Sequence, residues 1–132
     1  MAPAVGSEDV DQLVVRSLFS VEGGHSAAWH LLEKGCTAVV CGSDLMALGA
    51  IRVARKRGLS VPGDFSVVGY DDSPLIAFAD PPLTTVQQQV SAMATAAVRT
   101  LLDEIGGASA TTGEYLFQPE LVVRGSTAAR KA

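Results

Sequence analysis

The sequence predicts an α/β fold, a three-layer domain in which a mostly parallel sheet carries helices on both faces. Three observations lead to this prediction. An apolar run at 37–41, a helical pattern that follows it, and a second apolar run at 65–70 read as strand, helix and strand. Parallel strands need a crossover connection of this kind. The 132 residues, 48% of them hydrophobic, suffice for one core but not for two.

Two elements are predicted before this unit. Residues 12–19 form a short β-branched and apolar run that is typical of a half-covered strand. Residues 24–34 place four apolar side chains at helical spacing, and Gly35 ends the pattern. A strand and a helix are therefore expected ahead of the strand at 37–41.

The crossover helix has clear start and stop signals. Ser43 or Asp44 can cap its first turn, because short polar side chains accept hydrogen bonds from free backbone amides. Gly58 lies where a helix commonly ends in the left-handed conformation. The helix is expected to pack its apolar residues on the sheet: Leu45, Leu48 and Val53.

After the strand at 65–70 the elements become shorter. Residues 75–79 lie between Pro74 and the Pro81-Pro82 pair and predict a single helical turn. An extended run at 83–86 leads to a third helix over 90–105, and two short strands follow at 114–117 and 120–124. The buried face of the third helix is predicted to consist of Met93, Ala97, Leu101 and Leu102.

Charge and composition exclude several classes of protein. The net charge of −4 gives no overall attraction to nucleic acid phosphates. No apolar run reaches the roughly 20 residues that span a bilayer, and the amino terminus lacks the order of a secretory signal, so a cytoplasmic protein without membrane contact is expected. The basic cluster at 52–57 is interpreted as structural, because positive charge favours a helix carboxyl terminus. Arg124 and the basic tail are given no function.

The two cysteines do not indicate a metal site. Cys36 and Cys41 lack the second pair that would complete a tetrahedral zinc site, and both are interpreted as small core residues. No metal and no cofactor are expected.

Polar side chains follow the predicted strands at one edge of the sheet. Parallel strands that are connected with the usual right-handed crossovers place their carboxyl ends together, and ligands bind outside those ends. His25, Ser43, Asp71 and Gln88 are the candidate ligand contacts. A carboxylate, a hydroxyl, an imidazole and an amide suit a neutral polyhydroxylated or purine-like molecule. Asp44 is more simply a helix cap, and Asp72 is equally compatible with a turn.

Three segments, CGSDLMALGAIRVA, GLSVPGDFSVVGYDDSP and PPLTTVQQ, closely resemble the effector-sensing domain of the lac/gal repressor family of bacterial transcription regulators. The resemblance extends over about 12–127. It implies a periplasmic-binding-protein-like type I lobe, specifically the carboxyl-terminal lobe of the sensor. Residues 1–10 are expected to be a leader, 11–127 the lobe, and 128–132 a tail.

The family resemblance also implies roles for individual residues. Asp71 matches the aspartate of the family's Gly-Tyr-Asp motif, which bonds a bound sugar or purine, and Gln88 matches a polar residue near the effector. Ser43 stands where many members have asparagine. His25 stands where several members have a stacking aromatic ring.

The same resemblance implies partners. The effector is expected to be a sugar or a nucleoside-like molecule. No helix-turn-helix precedes the sensor, so the chain is expected not to bind DNA, which the family binds only through that headpiece; an excised fragment is favoured over a degenerate gene product. A homodimer is expected, and its predicted interface consists of Leu45, Leu48, Ile51, Leu75 and Phe78.

Two other classes of protein share features with this sequence. A sugar-binding protein of a transport system shares the fold but carries an export signal. An enzyme is the second alternative, either a small α/β hydrolase using Ser43, His25 and Asp71 or a receiver-like magnesium-binding domain using Asp71 and Asp72. This sequence contains neither the Gly-x-Ser-x-Gly elbow that such a hydrolase needs nor the further aspartate that a receiver domain needs. No enzyme is therefore expected.

Overall fold

A computed structural model describes residues 10–108 and 113–130. The helices are α1 (Val21–Glu33), α2 (Asp44–Lys56) and α3 (Val90–Ile105). The strands are β1 (Ala38–Val40), β2 (Ser66–Asp71), β3 (Thr84–Gln87) and β4 (Glu120–Val122), and short 3₁₀ turns occupy Asp11–Leu13 and Ile76–Phe78.

Within the described residues the strands form one sheet in the order β1-β2-β3-β4. β1, β2 and β3 run parallel, and β4 is antiparallel to β3. Val68 pairs with Val40 on one side and with Thr84 on the other, so the carboxyl ends of the parallel strands share an edge. The prediction of an α/β domain with a mostly parallel sheet is confirmed.

The predicted strand at 12–19 is wrong. After the turn at Asp11–Leu13 the chain runs to Ser20 without a strand ladder, because no described strand lies alongside to bond with it. Side-chain contacts hold this segment instead: Ser17 Oγ donates to the Gly23 carbonyl at 3.0 Å. The helix that follows begins at Val21, earlier than predicted, because Ser20 Oγ accepts from Gly23 N at 3.0 Å and caps it.

The last part of the chain also differs from the prediction. Residues 114–117 form no strand, so of the two predicted strands only the second forms, as β4, which pairs with β3. Ser126, which lies beyond β4 in the chain, is fully buried. Its hydroxyl donates to the Val67 carbonyl at 2.6 Å and accepts from Thr84 N at 2.8 Å, so it bridges β2 and β3.

The core lies around α2, which packs against α1 and β2. Ala47, Ala50 and Val53 on this helix are fully buried, and Phe65 and Leu83 cover them from the sheet side. The predicted burial of Val53 is confirmed. Leu45 is 51% exposed and Leu48 is half-buried, so the prediction that both pack on the sheet was too broad.

Two glycines bring the α1 and α2 backbones into contact. A Cβ added to Gly24 would lie 2.1 Å from the Met46 carbonyl oxygen, and one added to Gly49 would lie 2.0 Å from the Val21 carbonyl oxygen. Neither position has room for a side chain. The approach of these two helices therefore depends on glycine at both contacts.

The third helix has no buried residue. The predicted buried face is wrong: Met93 is 42% exposed, Leu101 56% and Leu102 60%. Apolar periodicity identifies the helix face that favours burial, but it does not show whether another element of the chain packs against that face.

The cysteines differ in their surroundings. Cys41 is buried, and desolvation raises the pKa of its thiol to about 12, so this thiol stays protonated at neutral pH. Its interpretation as a core residue is confirmed. Cys36 is partly exposed, and the prediction was too broad there. Among the described helices, none is both long and apolar enough to cross a membrane.

The basic cluster at 52–57 makes structural contacts. Arg57 follows α2, pairs with Glu33, and stacks its guanidinium 3.9 Å from the centroid of the Trp29 ring. Arg55 pairs with Asp80 at 2.9 Å. These contacts join the end of α2 to α1 and to the turn before β3.

Candidate functional site

The candidate site lies at the shared carboxyl edge of β1, β2 and β3. Gly42 follows β1, Asp71 ends β2, and Gln87 ends β3 opposite Asp71. In open parallel sheets this edge is where ligands bind.

Asp71 and Gln88 are brought together. Asp71 is exposed, and its backbone adopts a φ of 111°, an uncommon conformation for a residue with a side chain. Its Oδ1 accepts a hydrogen bond from Gln88 Nε2 at 3.0 Å. The amide thus positions the carboxylate at the edge, and the other carboxylate oxygen has capacity for a further donor.

Ser43 lies beside this edge but is committed to capping α2. Its side chain is buried, and its Oγ accepts from Met46 N at 3.3 Å. The sequence allowed either Ser43 or Asp44 as the cap, and the structure assigns the cap to Ser43. A ligand contact by this hydroxyl stays a prediction.

Asp44 is structural, but it is not the cap that the sequence predicted. The side chain is 3% exposed. Its Oδ2 accepts from Ser73 N at 2.7 Å, and its Oδ1 accepts from Thr85 Oγ1 at 2.7 Å. This carboxylate ties the start of α2 to β3 and to the loop that follows Asp71, the last residue of β2.

Asp72 points to a different set of partners. It forms a salt bridge with Arg124 at 2.7 Å and accepts from Gln87 Nε2 at 2.8 Å. Arg124 also donates to the Leu83 carbonyl at 2.9 Å. Asp72 thus has a structural role. The assignment of no role to Arg124 was wrong, because this side chain joins the segment after β4 to Asp72 and to the Leu83 carbonyl.

His25 lies in α1. Its Nε2 is buried and has no hydrogen-bond partner in the described part of the chain. The hydrogen bond between Asp71 and Gln88 does not involve His25, so the role of His25 in ligand binding stays a prediction.

Phe19 is a residue that sequence reasoning missed. Its side chain is 70% exposed, and its ring lies against Gly42, with 3.3 Å between a ring carbon and the position of an added Cβ. The ring therefore stands at the same edge as Asp71. The available signal is an aromatic residue directly before the Ser20 cap, but the apolar pattern of the segment predicts a half-covered strand.

The edge thus combines an ordered carboxylate, an amide and an exposed aromatic ring. Carboxylates accept strongly from hydroxyl and amino donors, and a ring face packs against sugars or bases. No group of three His, Cys, Asp or Glu side chains in residues 10–108 and 113–130 is arranged to share a metal ion. The arrangement fits a polar, uncharged small molecule.

Comparisons with known proteins agree with this fold. Residues 6–127 match the family model of the periplasmic binding protein-like domain. The transcriptional regulator MalR of Streptomyces coelicolor is 67% identical over 117 residues, which are 89% of this chain and 34% of MalR. The chain thus spans about a third of the length of the curated relatives it matches.

Two solved structures are similar over most of the chain. A LacI family regulator from Enterococcus faecium with bound ribose superposes with a TM-score of 0.81 at 29% identity, covering 93% of this chain and 48% of that one. The lac repressor dimer bound to operator and an anti-inducer superposes with a TM-score of 0.78 at 36% identity, covering 86% of this chain and 40% of that one. The chain belongs to the periplasmic binding protein-like domain family, in the form that lac/gal-type transcription regulators carry.

Proposed function

We propose that this chain forms the effector-sensing part of a lac/gal-type transcription regulator and binds a sugar or nucleoside-like molecule at the carboxyl edge of its sheet. The observation that carries this proposal is the exposed Asp71 carboxylate, held by Gln88 at the end of β2. The bound ribose of the Enterococcus faecium regulator supports this ligand class.

The effector class is tested by replacing Asp71 with asparagine. We expect Asp71→Asn, in the regulator that carries this domain, to weaken effector binding roughly ten- to a hundredfold, because a charge-assisted hydrogen bond contributes on the order of 1.5–3 kcal/mol. Asparagine tolerates positive φ, so the fold should persist. Calorimetric titration, after a thermal-shift screen of sugars and nucleosides, measures the effect.

The matched control is Asp80→Asn. Asp80 is an exposed carboxylate on the turn before β3, and it pairs with the exposed Arg55. We expect unchanged effector affinity in this variant. Equal affinities for wild type and Asp71→Asn would remove Asp71 from the site.

The proposal includes a homodimer, as in the lac repressor dimer. Leu75 is 78% exposed and Phe78 is 88% exposed on the turn after β2, and Ala79 and Asp80, which follow Phe78, line one pocket together with Leu48 of α2. Exposed apolar residues gathered in one patch are typical of interaction surfaces. Ile51 leaves the predicted interface, because it is 4% exposed and belongs to the core.

The dimer surface is tested by Phe78→Glu. We expect this charge to shift sedimentation from dimer to monomer at tens of micromolar protein, because an unpaired charge cannot be buried in an apolar contact at low cost. Leu116→Glu is the control. Leu116 is 84% exposed, precedes β4 in the chain, and lies outside the proposed surface. A dimer that tolerates Phe78→Glu and dissociates with Leu116→Glu would place the interface elsewhere.

The proposed sensor role also bears on catalysis, cellular location and DNA binding. Relatives of this chain are transcriptional regulators, which are not enzymes. We infer that the chain has no catalytic activity, acts in the cytoplasm, and reaches DNA only through a headpiece of the regulator. A transport-type sugar-binding protein is the alternative, and the similarity to regulators disfavours it.

A further inference from the structure

Two consecutive residues at the end of β2 adopt backbone conformations with a positive φ. Asp71 has a φ of 111° and Asp72 has a φ of 55°. The second value lies in the left-handed region, which aspartate enters more readily than most residues, whereas the first is uncommon for any residue with a side chain. Such conformations persist only where the surrounding structure holds them, and they cluster at functional sites. The segment that carries the Asp71 carboxylate therefore depends on contacts made by its neighbours.

Asp72 supplies contacts directly after Asp71. Its Oδ1 accepts a hydrogen bond from the Arg124 guanidinium at 2.7 Å, and its Oδ2 accepts one from Gln87 Nε2 at 2.8 Å. The Asp72 side chain is 11% exposed, so solvent screens these contacts little. Asp71, in contrast, is exposed. The two carboxylates thus differ in what they can do: that of Asp72 is committed to contacts within the chain, and that of Asp71 is accessible to a ligand.

Arg124 holds Asp72 against the beginning of β3. The backbone N–H of Arg124 donates to Thr84 Oγ1 at 2.9 Å, and its guanidinium donates to the Leu83 carbonyl at 2.9 Å. Leu83 and Thr84 are both buried. A guanidinium is planar and presents its donors in a fixed geometry. Because Arg124 is tied through both its backbone and its side chain, it fixes the position of the Asp72 carboxylate relative to β3.

Two adjacent glutamines hold the two adjacent aspartates. Gln87 Nε2 donates to Asp72, and Gln88 Nε2 donates to Asp71 Oδ1 at 3.0 Å. Gln87 is also the last residue of β3 and lies opposite Asp71 in the pairing of β2 with β3. The Gln88 amide orients the Asp71 side chain directly. The Gln87 amide acts one residue later, on the backbone that follows Asp71.

We propose that Arg124 and Gln87 are positioning residues of the effector site. Acting through Asp72, they hold the end of β2 in the conformation that presents the Asp71 carboxylate at the edge of the sheet. Without them the backbone relaxes towards negative φ, which residues with a side chain favour, and the direction of the Asp71 side chain changes. The inference rests on the proposed function, because it requires Asp71 as an effector contact.

The first test needs no effector and uses the 132-residue chain. One-bond Cα–Hα couplings, measured by NMR at residues 71 and 72, distinguish positive from negative φ. We expect positive φ at both positions in the wild type and a shift of the couplings towards negative-φ values in Arg124→Met. Gln87→Met, which leaves the salt bridge of Asp72 intact, is the second variant in case an unpaired Asp72 prevents folding.

Arg55→Met is the matched control. Arg55 also pairs with an aspartate, Asp80, but both side chains are exposed, so the same substitution removes a salt bridge that contributes little to stability. We expect the couplings at residues 71 and 72 in this variant to equal those of the wild type.

The second test measures binding by the regulator that carries this domain, with D-ribose and adenosine as probes, one sugar and one nucleoside. We expect Arg124→Met to weaken binding of the probe that the wild type binds at least about tenfold, since a misdirected Asp71 loses a charge-assisted hydrogen bond. Gln87→Met should weaken binding in the same direction, and Arg55→Met should bind like wild type. In an Asp71→Asn background, Arg124→Met should cause little further loss, because its effect passes through Asp71. A purely structural role of Arg124 would lower thermal stability without changing the affinity of the folded protein.

Three results would overturn the positioning role: wild-type couplings in both Arg124→Met and Gln87→Met, equal affinities of wild type and Arg124→Met, or losses of affinity that add fully in the double variant. The proposed function fails in a different way. Equal affinities of wild type and Asp71→Asn would remove Asp71 from the site, and binding of neither probe would count against the effector class. In both cases the couplings still decide whether Arg124 and Gln87 hold the end of β2.

Discussion

Replacing Gly49 by alanine is expected to lower the free energy of unfolding by about 3 kcal/mol or more. The added Cβ would lie 2.0 Å from the Val21 carbonyl oxygen and 2.6 Å from His25 N. Both are backbone atoms of α1, so neither can move aside by a change of rotamer. The helices must separate, and the packing between them is lost. Urea unfolding monitored by circular dichroism measures the change in midpoint.

Gly106→Ala is the matched control for this prediction. Gly106 has a φ of −73° at the end of α3, and a Cβ there would lie 3.3 Å from the nearest atom, the Leu102 carbonyl oxygen. Alanine is compatible with this φ, and the tight 3.3 Å contact opposes the gain that alanine makes through the unfolded state, so we expect a net change of at most about 1 kcal/mol. A Gly49→Ala protein as stable as Gly106→Ala would show that α1 and α2 do not approach this closely.

The pair of glycines gives a second check on the same contact. Gly24→Ala should also destabilise the chain, because its Cβ would lie 2.1 Å from the Met46 carbonyl oxygen. The double variant is expected to lose less than the sum of the two single losses, since either side chain already separates the helices. Additive losses would mean that the two contacts are independent.

Asp44→Ala is expected to destabilise the chain by about 3 kcal/mol or more, because hydrogen bonds to a charged group contribute roughly 1.5–3 kcal/mol each and Ser73 N and Thr85 Oγ1 both donate to this carboxylate. That loss is a large part of the stability of a domain this size. The variant removes a buried carboxylate that accepts from Thr85 Oγ1 and Ser73 N, and it leaves those donors without their partner. Thr85 is fully buried, so water cannot readily replace the lost bond. Thermal and urea unfolding measure the loss.

Two comparisons make the Asp44 result specific. Asp44→Asn keeps one acceptor oxygen for Ser73 N, and its amide nitrogen can donate to Thr85 Oγ1, so it should lose less stability than Asp44→Ala. Asp80→Ala should change stability by less than about 1 kcal/mol, since its salt bridge with Arg55 is exposed. Equal losses for Asp44→Ala and Asp80→Ala would contradict the buried role of Asp44.

Much of the fold was predictable because local patterns specify it. The apolar runs at 37–41 and 65–70 contain β1 and most of β2, and the pattern from Asp44 to Gly58 marks α2 to within two residues. These elements have strong local signals: period, caps and terminating glycines. The placement of Asp71 beside Gln88 followed from one further rule, that parallel strands share an edge.

The sequence by itself determined the α/β class, the parallel order of the strands around α2, and the edge at which Asp71 stands, because these depend on periodicity and on the handedness of connections. Only the tertiary structure decided which partners complete each element. Residues 12–19 have a strand pattern but no neighbouring strand, and α3 has an apolar face without cover. Asp44 has the sequence position of a cap, yet its carboxylate reaches Thr85, which lies 41 residues along the chain. A local pattern shows which kind of partner a residue favours, such as a neighbouring strand or a hydrogen-bond donor. The packing of the whole chain determines which distant group becomes that partner.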